Sequence, residues 1–207
     1  MGLHPRYQAS LRAAVAAAAL VWVLPAASAA EGEAPAADLD ARLARGEVIV
    51  TPRRVEGFAV AALTVDTVID APPEQVWAIV TDCRAYRAIM PHVEDSLETE
   101  RTGGRSVCKW AVHMPFPFRN VNVWLEFTGS ADGQRWQTGF RQVRGDFVRN
   151  EGYWHLSRFG DTGKRTRIAY RQHSVLDLPV PASMVQRGHT AAMREMVARL
   201  RAAVRSQ

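Results

Sequence analysis

His92, His113, His155, His173 and His189 stand singly along this chain. The sequence carries no G-x-S-x-G, no H-E-x-x-H, no glycine-rich phosphate loop and no paired-cysteine metal site. Isolated imidazoles do acid–base work only where a fold sets them against a substrate. His113 and His173, near strand ends beside apolar segments, are the candidate groups for that chemistry. Glu126 joins them, alternating with apolar neighbours in VNVWLEFTG, and Tyr170 adds a hydroxyl. His189 follows Gly188 close to the inner face of a long helical pattern. The plainer alternative is a surface or hydrogen-bonded core role for each histidine and a solvated outer-face position for Glu126. No cofactor and no metal site is expected.

Binding chemistry is better represented than catalysis. Met114-Pro-Phe-Pro-Phe-Arg119 is a proline-stiffened loop offering two aromatic rings, Phe116 and Phe118, beside the cation Arg119. It is read either as a ligand-contacting loop or as a hairpin connection whose rings plug the sheet end. Cys83 and Cys108 are the only cysteines, so one disulfide or two buried thiols both fit.

The N-terminal residues point to export. Arg6 and Arg12 precede the apolar run Ala13–Leu24, Pro25 breaks it, and Ala27-Ser28-Ala29 offers a small-residue cleavage site. Residues 1–29 are therefore expected to be a cleaved signal peptide, placing the protein in the periplasm or outside the cell. The run is too short for a membrane anchor, which needs about 20 apolar residues. Losing Arg6 and Arg12 with no acid lowers the net charge of +5 by the two arginines alone. The remaining cations are almost all arginine, interleaved with Asp and Glu, so nucleic acid is not the expected partner. What remains suits one domain with a full core.

The elements that must position these groups follow from pattern. Residues 30–46 form a leader, flexible from Glu31 to Asp38, and a short helix from Leu39 to Arg45 that Gly46 stops. Strands are expected at Glu47–Thr51 and Phe58–Asp70. Pro72 and Pro73 then open an amphipathic helix carrying Val76, Trp77 and Val80, followed by a helical turn through Tyr86 and Met90 that Pro91 stops. Further strands are expected at Asp95–Thr102, Arg105–Met114, Asn120–Thr128, Arg135–Gln142, Gly152–Phe159 and Arg165–Val175. Hairpin signals lie at Gly103-Gly104, Ala131–Gly133 and Asp161–Gly163. Alternation puts Trp110, Val112, Met114, Trp136, Phe140, Trp154 and Tyr170 on the covered face. Ala182–Arg205 has helical periodicity, with Val185, Ala192, Met196, Leu200 and Ala203 on one stripe. Met184, Met193 and Met196 suit either a surface that fits a variable apolar ligand or an ordinary core helix. Gly188 in mid-helix reads as a close approach to the sheet or a hinge.

The stretch Val65–Ser96, with Ala71-Pro72, Val76-Trp77, Asp82, Tyr86 and Pro91, resembles the START-like (SRPBCC) superfamily, especially its coenzyme Q-binding and polyketide cyclase/dehydrase branches. Gly145-Asp146-Phe147 to Glu151-Gly152-Tyr153-Trp154 resembles a later block of the same pattern. The resemblance spans roughly residues 58–205. It implies an α+β helix-grip fold over residues 47–207: a curved antiparallel sheet wrapped around a long C-terminal helix, with two short helices after the first main strand. It also implies a monomeric binding or transport protein for a hydrophobic small molecule (a lipid, quinone or polyketide-like compound), with transient membrane contact. The Met114–Arg119 loop would then sit at the tunnel mouth. The implied ligand contacts are Trp110, Val112, Met114, Phe116, Phe118, Arg119, Trp136, Phe140, Trp154, Tyr170, Met193 and Met196. A cyclase or dehydratase using a cavity His or Glu, and an interaction module without ligand, are the alternatives.

Overall fold

The computed structural model describes residues 36–206. The expected signal peptide and most of the leader lie outside the described residues. Helix α1 spans Ala36–Ala44, so it claims Ala36–Asp38, which sequence assigned to a flexible leader; consecutive alanines favour helix. Gly46 closes it at φ +79°, a conformation that glycine adopts without steric cost.

Strand β1 (Ile49–Arg53) pairs antiparallel with β2 (Ala62–Ile69). The expected strand from Phe58 is shorter because Arg53 already pairs with Ala62, leaving no partner for Phe58–Ala61. That segment bonds elsewhere: the Ala61 N–H donates to the Gln186 side chain at 2.8 Å. Helix α2 (Pro73–Val80) starts at the two prolines, with Pro72 extended at φ −65° and ψ 151°. One 3-10 turn, Cys83–Ala85, follows, capped by Asp82 accepting the Arg84 N–H at 2.9 Å. Helix α3 (Tyr86–Ile89) then ends before Pro91. The Tyr86 hydroxyl donates to the Val80 carbonyl at 2.7 Å, locking the two short helices together.

Six strands complete the sheet: β3 (Val93–Thr102), β4 (Arg105–Val112), β5 (Val121–Ala131), β6 (Arg135–Gly145), β7 (Arg149–Phe159) and β8 (Arg165–Val175). The order is β1-β2-β8-β7-β6-β5-β4-β3, antiparallel throughout. Irregular register at Val93/Asp95, Glu98/Glu100 and Trp124/Leu125 bends the strands. Gly152 lets β7 lie close to its neighbours, since a Cβ there would collide with the Arg171 carbonyl and the Phe140 ring. Helix α4 (Ala182–Arg205) lies along the inner face. This is the α+β helix-grip arrangement expected from sequence.

Aromatic rings run across that face in a column. Tyr86 meets Trp110 at 4.6 Å, Phe127 meets Phe140 at 5.4 Å, and Trp154 meets Tyr170 at 4.1 Å between ring centroids. Cys83 and Cys108 are joined, tying the 3-10 turn to β4 with Cα atoms 5.5 Å apart and a sequence separation of 25. Closing a loop of that length restricts the unfolded chain. Replacing both cysteines by alanine is expected to lower unfolding stability by about 3 kcal/mol, measured by urea titration. Equal stability of the two proteins would contradict this.

Candidate functional site

The two halves of α4 behave differently. Met196, Val197, Leu200 and Val204 are buried against the sheet and short helices, whereas Val185 and His189 are half-buried. Beneath the first half lies a cavity of about 310 Å³. Its helix wall is Val185, Gly188, His189, Ala192 and Met193; Trp110 and Val112 of β4 face it. Met90 and Val93 close one side, and Phe147, Leu176 and Leu178 the other. Gly188 and Ala192 are small where a larger side chain would enter this space. A Cβ on Gly188 would meet nothing within 4 Å, so Gly188 does not mark the close approach to the sheet that sequence suggested.

A ladder of polar side chains crosses the apolar lining. Tyr170, Gln172 and Ser174 share one face of β8 because strand side chains alternate, and Asn150 of β7 stands opposite Ser174. The Tyr170 hydroxyl donates to Gln172 Oε1 at 3.1 Å, Gln172 Nε2 to Ser174 Oγ at 2.7 Å, and Ser174 Oγ to Asn150 Oδ1 at 3.0 Å. Gln172, Ser174 and Asn150 line the cavity. Burial pushes the Tyr170 hydroxyl well above its ordinary pKa, so it stays protonated. Burial also pushes the His189 imidazole below the usual histidine range, with His173 adding a smaller push. His92 and His113 stand at the rim. The His113 backbone N–H donates to the His92 carbonyl at 2.7 Å, and His113 Nδ1 lies 3.2 Å from Glu94 Oε1.

The sequence candidates divide. Trp110, Val112, Met114, Met193 and His113 line the cavity. Trp136, Phe140, Trp154, Tyr170 and Met196 belong to the packed core instead, because the aromatic column fills the far end of the chamber. Glu126 lies on the outer face, ion-paired to Arg105 and, at 2.6 Å, to Arg141; the Arg105 hydrogen bond holds its carboxyl below the usual range. It cannot serve a cavity reaction from there. His173 is also outside: on the opposite parity of β8, its Nε2 lies 3.0 Å from the Val60 carbonyl, and its ring meets Phe58 edge-on at 4.9 Å. Phe116 is 96% exposed, and Arg119 pairs with Asp146 at 3.2 Å; neither they nor Phe118 line the cavity, so the loop contributes only Met114 and Pro115. Met184 is exposed, falling off the buried stripe. Among the described residues no group of three His, Cys, Asp or Glu gathers as metal ligands. Asn150, Gln172 and Ser174 were missed as site residues, although the period-two run from Tyr170 carried the signal.

A curved sheet gripping a long helix over an apolar cavity defines a START-like domain. The family model for polyketide cyclase / dehydrase and lipid transport matches residues 69–201, and the chain belongs to that family. No curated protein sequence matches it. Among solved structures, the STAR-related lipid transfer protein of Xanthomonas axonopodis superposes with a TM-score of 0.66 at 19% identity, covering 76% of this chain and 93% of that one. Human StAR-related lipid transfer protein 5 gives 0.66 at 13% identity, covering 83% and 97%. The Zhui aromatase/cyclase of a Streptomyces species gives 0.52 at 17% identity, covering 69% and 90%. At such identities these likenesses concern the fold.

Two outcomes follow from the helix wall. Gly188→Ala is expected to stabilise the protein by about 0.5–1 kcal/mol, read from urea unfolding, because the added methyl meets open space; destabilisation would mean the site is closed. For His189, a folded pKa below the ordinary 6.5 means that the folded protein binds fewer protons than the unfolded chain. This contribution to stability is complete above pH 6.5 and declines as pH falls from there through the folded pKa. His189→Gln is expected to flatten that part of the stability–pH curve; an unchanged slope would contradict the burial.

Proposed function

We propose that the protein is an exported binding or transport protein that holds a hydrophobic small molecule beneath the first half of α4. The observation that carries this reading is the cavity: about 310 Å³, walled by Leu63, Trp110, Val112, Leu178, Ala192 and Met193, with no Lys or Arg among its lining residues. Pockets that bind small molecules are concave, mostly apolar and typically about 300–1,000 Å³. Each apolar surface removed from water here contributes about 25 cal/mol per Å², so affinity does not need a charged contact. Family membership supports a hydrophobic ligand.

Export is supported by the pattern of residues 1–29 and by the Cys83–Cys108 bridge, since disulfides persist in oxidising compartments. Among the described residues no helix is long and apolar enough to cross a membrane. Transient membrane contact is supported by exposed Phe116, Val148 and Met184, each next in sequence to a cavity-lining residue. An apolar ligand needs such a handover, because it cannot cross water freely.

A ring-closing or dehydrating enzyme is the second reading, favoured by one observation. His189 lines the cavity, and burial lowers its pKa, favouring the neutral imidazole that can accept a proton. An interaction module without ligand has less support, because it calls for a filled core.

Native mass spectrometry of protein purified from its host is expected to show a bound apolar molecule that organic extraction removes. Ala192→Phe, which places a ring in the cavity, is expected to lose that adduct while staying folded by circular dichroism. Recovery of the same adduct from the Phe variant would contradict the assignment. Turnover that His189→Gln abolishes without loss of binding would move the protein to the enzyme reading.

A further inference from the structure

We propose that the cavity selects a neutral ligand whose apolar body carries a hydrogen-bond-accepting oxygen, a carbonyl above all, and that the Asn150 side-chain amide receives it. This rests on the carrier reading and names the ligand class for the same cavity.

Charge sets the first limit. Among the described residues the lining contains no Lys or Arg, and burial disfavours the charged form of His189. A carboxylate or phosphate inside would be desolvated without a counter-charge, which costs far more than apolar burial returns. His92 and His113 are rim groups, and Glu94 already faces His113. An anion gains nothing from going deeper.

Hydrogen-bond direction sets the second. The ladder is a one-way chain: Tyr170 donates to Gln172, Gln172 to Ser174, and Ser174 to Asn150. Its direction is fixed at the buried end. Tyr170 is 1% exposed, and among the described residues its hydroxyl proton has no acceptor other than Gln172 Oε1. Turning both amides over would strand that proton in the core, where an unmade hydrogen bond is costly. The Gln172 amide therefore presents its N–H to Ser174, and in the structure the Ser174 hydroxyl donates to Asn150 Oδ1. The loose end of the chain is Asn150 Nδ2, a donor, on a residue 3% exposed that lines the cavity and makes no other side-chain bond among the described residues.

Trp110 belongs to the same lining, but its indole N–H is buried away from the open space and has no partner among the described residues. Neutral His189 adds one donor and one lone pair, so it does not alter the choice. A donor on the cavity wall with no other side-chain partner among the described residues favours a ligand oxygen that accepts and does not need to donate. Size adds a last restriction. At about 310 Å³ the space lies near the lower bound for small-molecule pockets, which suits one chain or ring system and not a two-chain lipid.

The test uses displacement of the neutral fluorophore N-phenyl-1-naphthylamine by 2-nonanone, nonane and nonanoate, in the natural protein and in Asn150→Leu. The leucine variant is expected to weaken 2-nonanone relative to nonane by roughly threefold to tenfold, the effect of one neutral hydrogen bond. Nonanoate is expected to displace the fluorophore poorly from both proteins. Equal changes for 2-nonanone and nonane, or strongest displacement by nonanoate, would overturn the selection and leave the carrier reading standing. Failure of the fluorophore to bind the natural protein would instead remove the carrier reading, and this inference with it. If the leucine variant does not fold, the carbonyl stretch of 2-nonanone bound to the natural protein decides. A shift to lower wavenumber than in hexane is expected, and an unshifted band refutes the hydrogen bond.

Discussion

The uneven anchoring of α4, firm in its later half and light in its first, is the constraint from which the cavity follows. Arg201 is the main clamp: the two N–H groups of one guanidinium nitrogen are shared among the Gly46 carbonyl, Thr67 Oγ1 and the Val68 carbonyl, each at 3.0 Å. Burial lowers its pKa from the usual arginine value, and the charge on the donor strengthens its bonds to these acceptors. Gln75 Nε2 holds the Val204 carbonyl at 2.9 Å, and Arg194 reaches the Val48 carbonyl at 3.1 Å. These contacts join the later half of α4 to the segment between α1 and β1, to β2 and to α2. The first half has one such tie, from Ala61 to Gln186. The helix is therefore fixed where the core is packed and lightly held where the core is open.

The same asymmetry divides the aromatic residues. Large rings at Phe127, Phe140, Trp154 and Tyr170 fill the face beneath the clamped half and leave no room there for a ligand. Small residues, Gly188 and Ala192, occupy the helix where the rings stop. Tyr170 serves both regions. Its ring stacks in the column, while its hydroxyl begins the polar ladder that reaches Asn150. A rigid, dehydrated end thus orients the hydrogen bonds of the accessible end, which is how a mostly apolar site obtains directional recognition.

Much of the architecture was legible because its signals are local. The Pro72-Pro73 start, the Gly46 stop, period-two alternation and the stripe of Ala182–Arg205 each report a few neighbouring residues. The site was less legible because it depends on which parts of one face are filled. Alternation placed Trp110 and Trp154 on the same covered side, and nothing in the strand pattern separates the cavity wall from the packed core. Glu126 and His173 illustrate the limit differently. Their neighbours in sequence are apolar, but Arg105 and Arg141 arrive across strands to claim the first, and the Phe58–Val60 segment folds over the second. Phe116 looked like a ligand contact because of its loop, yet its ring stands in solvent. The ladder was visible as Tyr170, Gln172 and Ser174 at alternate positions, but Asn150 joins it only through pairing of β7 with β8.

Methionine methyl groups report the central claim most directly, because they sample all three environments. Met90, Met114 and Met193 line the cavity, Met196 is packed in the core, and Met184 is exposed. In protein labelled with carbon-13 at the methionine methyls, titration with a small neutral ketone should shift the resonances of Met90, Met114 and Met193 in a saturable way. Met196 and Met184 should hold still. Shifts confined to Met184, or none at saturation, would contradict a ligand chamber beneath the first half of α4.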